Sequence, residues 1–78
     1  MRSIPLHVAI KLREWIASVE MAGLEEIRKR PGFHDEPRKG ARLGQRSIRL
    51  SRSYRAIYRV EKGAIKFIEI LEVSKHEY

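Results

Sequence analysis

The fold is decided between residues 46 and 73, where the chain reads RSIRLSRSYRAIYRVEKGAIKFIEILEV. Three runs rich in Ile, Val, Tyr and Phe, at 46–50, 54–60 and 65–73, predict β-strands. The links at 51–53 and 61–64 have hairpin length, and Gly63 lies in the second link, where a tight turn favours glycine. This stretch therefore predicts a three-stranded antiparallel meander.

Alternation along these strands predicts two sheet faces of different chemistry. One face of the first two strands is apolar and carries Ile48, Leu50, Tyr54, Ala56, Tyr58 and Val60. The other face carries Ser47, Arg49, Arg55, Ile57 and Arg59. The last run is apolar on both sides, with Ile65, Phe67, Leu71 and Val73 on one face and Ile68 and Ile70 on the other, as a central strand would be. We expect the apolar face to pack on helices and the opposite, concave face to present arginines.

Residues 4–30 predict the helical layer that covers this sheet. Apolar residues recur at helical spacing from Val8 to Val19 and predict an amphipathic helix over 4–21, with Ser3 as its cap and Pro5 in its first turn. Gly23 suits the residue that ends this helix, and 24–30 predicts a second short helix before Pro31. Residues 31–45 are rich in Pro and Gly and predict an exposed loop with no regular element. The chain is expected to be one α+β domain over 1–78.

Composition favours a polyanionic partner. The 78 residues contain 17 Lys and Arg against 10 Asp and Glu, a net charge of +7, and such an excess attracts phosphate backbones. No apolar run approaches the ~20 residues that cross a bilayer, and there is no cysteine, so we expect an unprocessed cytoplasmic protein without membrane contact. The three histidines are far apart in the sequence, so no metal site and no cofactor are predicted.

An arginine-rich stretch is the candidate RNA-binding region. It contains Arg46, Arg49, Arg52, Arg55 and Arg59, interleaved with Tyr54 and Tyr58. Guanidinium groups bind phosphate oxygens and tyrosine rings can stack on bases, as in single-stranded RNA grooves. The alternative is that alternate arginines only form the solvated side of the strands.

RNA cleavage without a metal also needs a general base and a general acid. His76 and Tyr78, with Lys75 beside them, follow the last strand and are candidates for proton transfer over the sheet. The alternative is that His76 is only a solvated residue of the C-terminal segment 74–78. His34, next to Asp35, is expected to hold the long loop in place, and the alternative is that it contacts RNA. His7 is expected to lie on the surface.

The chain resembles the RelE/HigB branch of the RelE/ParE toxin superfamily. The resemblance lies in the HDEP loop with its following KG, in RSIRLSRSYRAIYRV and in the closing EVSKHEY. It implies a helical hairpin packed on an antiparallel sheet, which has four strands in the family. It also implies endoribonuclease activity on mRNA, commonly on the ribosome, and inhibition by an antitoxin, here expected to be a small helix-turn-helix protein in a toxin-antitoxin hetero-oligomer.

The same resemblance assigns roles to particular residues. Arg49 and Arg55 would stabilise the phosphorane, His76 would act as acid or base, and Tyr78 would assist it. The residues expected to bind RNA without taking part in the chemistry are Arg46, Arg52, Tyr54, Arg59, Lys75 and Lys39.

The resemblance departs from the family pattern at its start. Family members open with a strand and the start of the first helix, ahead of the residues that match Met1 and Arg2. A sheet without that strand would have an unpaired edge and a smaller core. Two other functions therefore stay open: a ParE-like toxin that acts on DNA gyrase and is not a nuclease, and a degenerate toxin or basic module that only binds an antitoxin.

Overall fold

A computed structural model describes residues 4–40 and 44–73, in which helices cover one side of a four-stranded antiparallel sheet. The order of elements is α1 (Leu6–Ala22), α2 (Leu24–Arg28), a 3-10 turn (Pro31–Phe33), β1 (Glu36–Pro37), β2 (Arg46–Arg49), β3 (Tyr54–Glu61) and β4 (Ala64–Glu72). Each strand pairs with the next one along the chain, in the order β1-β2-β3-β4. The α+β fold predicted from the sequence is confirmed.

The two helices follow the predicted pattern closely. α1 begins at Leu6, after Pro5, and buries Val8 and Trp15 on one side; Ser3 lies outside the described residues. Gly23 separates the helices at φ +87°, a conformation that favours glycine, and its N–H donates to the Val19 carbonyl at 2.8 Å. α2 ends at Arg28, shortly before Pro31.

The two predicted hairpins are confirmed. Lys62 and Gly63 form the β3–β4 turn with φ of +52° and +81°, and two positive values in succession match the twist of the flanking strands. The longer link, between β2 and β3, is closed where the Leu50 N–H donates to the Tyr54 carbonyl at 2.9 Å. Both turns fix the strand registers, and these registers place the apolar residues on the helix-covered face and Arg49 and Arg55 on the opposite face.

The expectation that 31–45 holds no regular element is wrong. Glu36 pairs with Ser47 and Pro37 with Arg46, and the Arg38 N–H then donates to the Gln45 carbonyl at 2.8 Å. Proline is tolerated at the edge of a sheet, where its missing N–H leaves no ladder bond unmade. The fourth strand thus comes from the loop.

The expectation that the last strand is central is also wrong. β4 lies at the end of the strand order. Ile57 pairs with Glu69 whereas Tyr58 pairs with Phe67, so Ile68 is an extra residue, as in a β-bulge. Phe67 and Ile70 therefore share the helix-covered face, although simple alternation separated them. The strand reads as apolar on both sides because the bulge interrupts its alternation.

The core lies between the helices and the apolar face of the sheet. Its buried members are Val8, Trp15, Ile27, Ile48, Leu50, Ala56 and Tyr58. The Trp15 and Tyr58 rings lie 5.0 Å apart between centroids, which joins α1 to β3. None of the described helices is long and apolar enough to cross a membrane.

Candidate nucleic-acid interface

The sheet face turned away from the helices carries arginines from adjacent strands. Arg49 and Arg55 are direct cross-strand partners in the β2–β3 ladder, and Arg59 follows on the same face of β3. We call this surface, made by Arg49, Arg55, Ile57 and Arg59, the arginine face. Like charges directly opposite each other destabilise a sheet, so the Arg49 and Arg55 pair is an arrangement that packing alone does not favour.

Apolar side chains lie between these arginines. Ile57 is 0% exposed although it points away from the helix-packed core, and Leu71 is the cross-strand partner of Arg55. A guanidinium beside apolar groups loses part of its water shell and interacts more strongly with an anion. The arginine face therefore combines positively charged groups with neighbouring apolar side chains that exclude part of the surrounding water.

The cations of this face differ in how far they are neutralised. Arg59 forms an ion pair with Glu61, which also lies 3.6 Å from the Lys66 amine. Within residues 4–40 and 44–73, no ion pair is formed by Arg49 or Arg55. These two residues are therefore the cations best placed to take an anionic ligand.

Arg46, on the same strand as Arg49, has the opposite situation. Its Nε donates to Asp35 Oδ1 at 2.5 Å, and Tyr58 Oη donates to Asp35 Oδ2 at 2.5 Å. The Asp35 side chain is 0% exposed and that of Arg46 is 24% exposed. We call Asp35, Arg46 and Tyr58 the Asp35 cluster; it ties the loop before β1 to the core side of the sheet.

Electrostatics within the Asp35 cluster hold both donors in their protonated forms. Burial opposes the charge of Arg46, but its hydrogen bond and attraction to Asp35 outweigh that effect and raise the pKa of Arg46. Burial, followed by the hydrogen bond to Asp35, raises the pKa of Tyr58. The Asp35 cluster therefore has a structural role, in which the carboxylate of Asp35 neutralises Arg46 and accepts the hydrogen bond of Tyr58.

The two tyrosines of β3 lie on the helix-covered side, away from the arginine face. Tyr58 is 0% exposed and packs against Trp15 and Phe67, so the expectation that its ring could stack on a base is wrong. Tyr54 is partly buried against the core. It lines a cavity of about 330 Å³ together with His7, Ser51, Arg52, Ser53 and Glu72.

The other predicted site residues are exposed at separate positions or lie outside the described residues. Arg52 is exposed in the β2–β3 link and Lys39 is exposed after β1. Lys75, His76 and Tyr78 lie outside the described residues. The chain leaves β4 at Val73, whose N–H donates to the Ser53 carbonyl at 2.6 Å, and this bond brings that end of β4 to the start of β3, near Arg55.

Asp35 is the residue that sequence reasoning missed. The sequence pattern favours His34 as the residue that holds the loop, but His34 is exposed with φ +48°, and its neighbour Asp35 makes the buried contacts. Strand alternation contained the signal, because Arg46 shares a face with Ile48 and a cation on a buried face needs an acidic partner.

Within the described ranges, His, Cys, Asp and Glu residues form no group of three or more that could hold a metal ion. No protein-family model matches the chain, and no curated protein matches it.

Proposed function

We propose that this protein is a RelE/HigB-like toxin of a type II toxin-antitoxin pair and cleaves mRNA in the cytoplasm without a metal. The proposal is supported by the resemblance in the HDEP, YRAIY and EVSKHEY segments and by the net charge of +7. The described fold, with helices on one side of an antiparallel sheet, is compatible with it.

The observation that carries the proposal is the opposed pair of Arg49 and Arg55. A phosphate placed between two guanidinium groups would relieve their repulsion and receive a forked set of hydrogen bonds. In RNA cleavage the 2′-oxygen attacks phosphorus and the 5′-oxygen leaves, so negative charge develops on the phosphorane oxygens. Two cations fixed on rigid strands would stabilise that charge more than the ground state.

Proton transfer is assigned to the C-terminal segment. In this proposal His76 takes the 2′-hydroxyl proton or supplies one to the leaving 5′-oxygen, and Tyr78 supports it. His76 follows Leu71, the cross-strand partner of Arg55, by five residues. Arg52, Lys39 and Lys75 would hold neighbouring phosphates. Arg59 would do so as well, because its ion pair with Glu61 is exposed to solvent, whereas Arg46 is held by the buried Asp35.

The proposed partners are mRNA, on the ribosome, and a small helix-turn-helix antitoxin. The antitoxin would have to mask the arginine face, because two unmatched arginines beside an apolar base attract any accessible polyanion. An acidic segment of the antitoxin is the chemistry that fits this surface.

Primer extension on mRNA after induction tests the proposal, with the parent compared with Arg55→Ala and His76→Ala. We expect new 5′ ends with the parent and at least a ~100-fold loss of cleavage in each variant, the effect of removing one group that stabilises a transition state. Arg13→Ala is the matched control, because Arg13 is exposed on α1, and it should cleave like the parent.

The outcomes separate the alternatives. Undiminished cleavage by both variants would refute the assigned roles. Intact mRNA together with an induced DNA-damage response would instead indicate a gyrase-directed toxin of the ParE kind. Tight antitoxin binding without cleavage at high protein concentration would indicate a degenerate toxin.

A further inference from the structure

β4 is a long edge strand with an exposed apolar surface. Among the described residues it pairs only with β3, and its nine-residue edge presents N–H and C=O groups to an incoming strand on either side of the bulge at Ile68. Phe67 and Ile68, at the middle of the strand, are 41% and 40% exposed. Proteins usually protect such an edge or use it for pairing.

An apolar cavity lies directly beside this edge. Its volume is about 220 Å³, and Ile65 and Phe67 of β4 line it together with Trp15, Ile16, Val19 and Glu20. The surface that a pairing strand would cover therefore extends from the backbone of β4 onto α1.

The charges along β4 are complementary to those of a second β4 strand placed antiparallel to it. The strand carries Lys66, Glu69 and Glu72, so it lacks the basic excess of the rest of the chain. We propose that the β4 edges of two copies pair antiparallel, with Lys66 opposite Glu69 of the second copy, and form a dimer with one continuous eight-stranded sheet. The two-fold symmetry repeats that ion pair on the other side of the axis.

Side-chain faces agree with this register. Lys66 pairs with Arg59 and Glu69 with Ile57 inside one copy, so both lie on the face turned away from the helices. In the same register Ile65 lies opposite Ile70 of the second copy, and both belong to the helix-covered face, since they pair with Val60 and Ala56. Phe67 then lies opposite Ile68 of the second copy, which brings the exposed apolar residues together.

The register shifted by three residues, which also places Lys66 opposite a carboxylate of β4, does not satisfy these conditions. Placing Lys66 opposite Glu72 of the second copy would place Glu69 opposite itself, and like charges directly opposite destabilise a sheet. It would also join residues of different faces, because Glu72 pairs with Tyr54 on the helix-covered side. Of the two registers that place Lys66 opposite a carboxylate of β4, charge and face therefore both favour the one with Glu69.

The dimer does not depend on the proposed ribonuclease activity but would add to it. Antiparallel pairing about an axis normal to the sheet puts both arginine faces on the same side. Arg49 and Arg55 of the two copies would then lie on one surface, on either side of the Lys66 and Glu69 pairs, and could bind a longer stretch of RNA than one copy can contact.

Sedimentation equilibrium of RNA-free protein over a wide concentration range tests the proposal. The parent should associate reversibly to a dimer. Lys66→Glu and Glu69→Lys should each weaken the dimer by at least about tenfold, because each change opposes two like-charged pairs across the axis. The double exchange Lys66→Glu/Glu69→Lys restores opposite charges and should return the dissociation constant to near that of the parent.

Lys29→Glu is the matched control for net charge. Lys29 is exposed beyond α2, away from β4, so its reversal should leave dimerisation unchanged. Thermal unfolding of every variant shows whether the fold is intact. A parent that stays monomeric overturns the proposal, and so does a dimer that the single exchanges leave unaffected or that the double exchange fails to restore.

Discussion

Two arginines of the same strand, Arg46 and Arg49, have opposite surroundings. Arg46 lies on the helix-covered face, where a buried carboxylate from the preceding loop matches its charge. Arg49 lies on the other face, directly opposite a second arginine. One guanidinium is held by Asp35 as part of the structure, while the other is left in an arrangement that costs stability. The difference shows that two residues of the same type on one strand can have a buried counterion or none among the described residues, according to the face on which each lies.

The cost on the arginine face has to be offset by the other face. There Trp15 and Tyr58 join α1 to β3, and Asp35 joins the loop to both Arg46 and Tyr58. A domain of 78 residues is expected to have only about 4 to 12 kcal/mol of stability. The contacts on the helix-covered face, including the Asp35 cluster, therefore supply a large part of the stability that offsets the repulsion between Arg49 and Arg55 on the arginine face.

Removing the central carboxylate should give the largest change in stability. Asp35→Ala would leave the Arg46 guanidinium partly buried without its counterion and Tyr58 Oη without its acceptor. The free energy of unfolding should fall by about 3 kcal/mol, as for other pairs that lose one buried partner. Urea denaturation followed by circular dichroism measures this change.

Glu36→Ala is the control for the loss of an acidic residue next to Asp35. Glu36 is exposed in β1, so its removal should change stability by no more than about 0.5 kcal/mol. Equal effects of the two substitutions would mean that the Asp35 cluster contributes no specific stability.

The same cluster shows how far the sequence could predict the fold and the site. Alternation placed Arg49 and Arg55 on one face, and the short link between β2 and β3 fixed their register, because both signals are local. The partner of Arg46 could not be read in this way, since Asp35 is eleven residues away across a loop of irregular conformation. The bulge at Ile68 was likewise hidden, because an extra residue leaves no mark in a strand that is apolar on both sides.

Tyr58→Phe should have a smaller effect that depends on pH. Loss of the hydrogen bond to Asp35 should cost about 1.5 kcal/mol at neutral pH. Because the pKa of Tyr58 is raised above its ordinary 10.0 in the folded protein, the unfolded chain loses this proton first. The contribution of the hydroxyl is therefore complete below pH 10 and declines as pH rises through the folded pKa.

Urea denaturation of parent and Tyr58→Phe between neutral and strongly alkaline pH checks this sign. The difference in stability between the two proteins should narrow as pH rises above about 10. A Tyr58→Phe difference that widened at alkaline pH would contradict the raised pKa.

The smallest predicted change in stability is that of Arg49→Gln, and it most directly distinguishes the arginine face from the helix-covered face. Arg49→Gln removes half of the like-charged pair, so stability should rise by about 0.5 kcal/mol even though a native side chain is lost. Binding of single-stranded RNA should weaken, and the slope of its affinity against salt concentration should decrease by about 0.7, the share of one phosphate contact.

Urea denaturation and fluorescence anisotropy at several salt concentrations measure these opposite effects of Arg49→Gln. In the exposed control Arg13→Gln neither quantity should change. A purely structural arginine, such as Arg46, would lower stability when replaced, and a merely solvated one would change neither quantity. A substitution that both raises stability and weakens RNA binding is expected only for a cation that lies in an unfavourable pair and also binds the ligand.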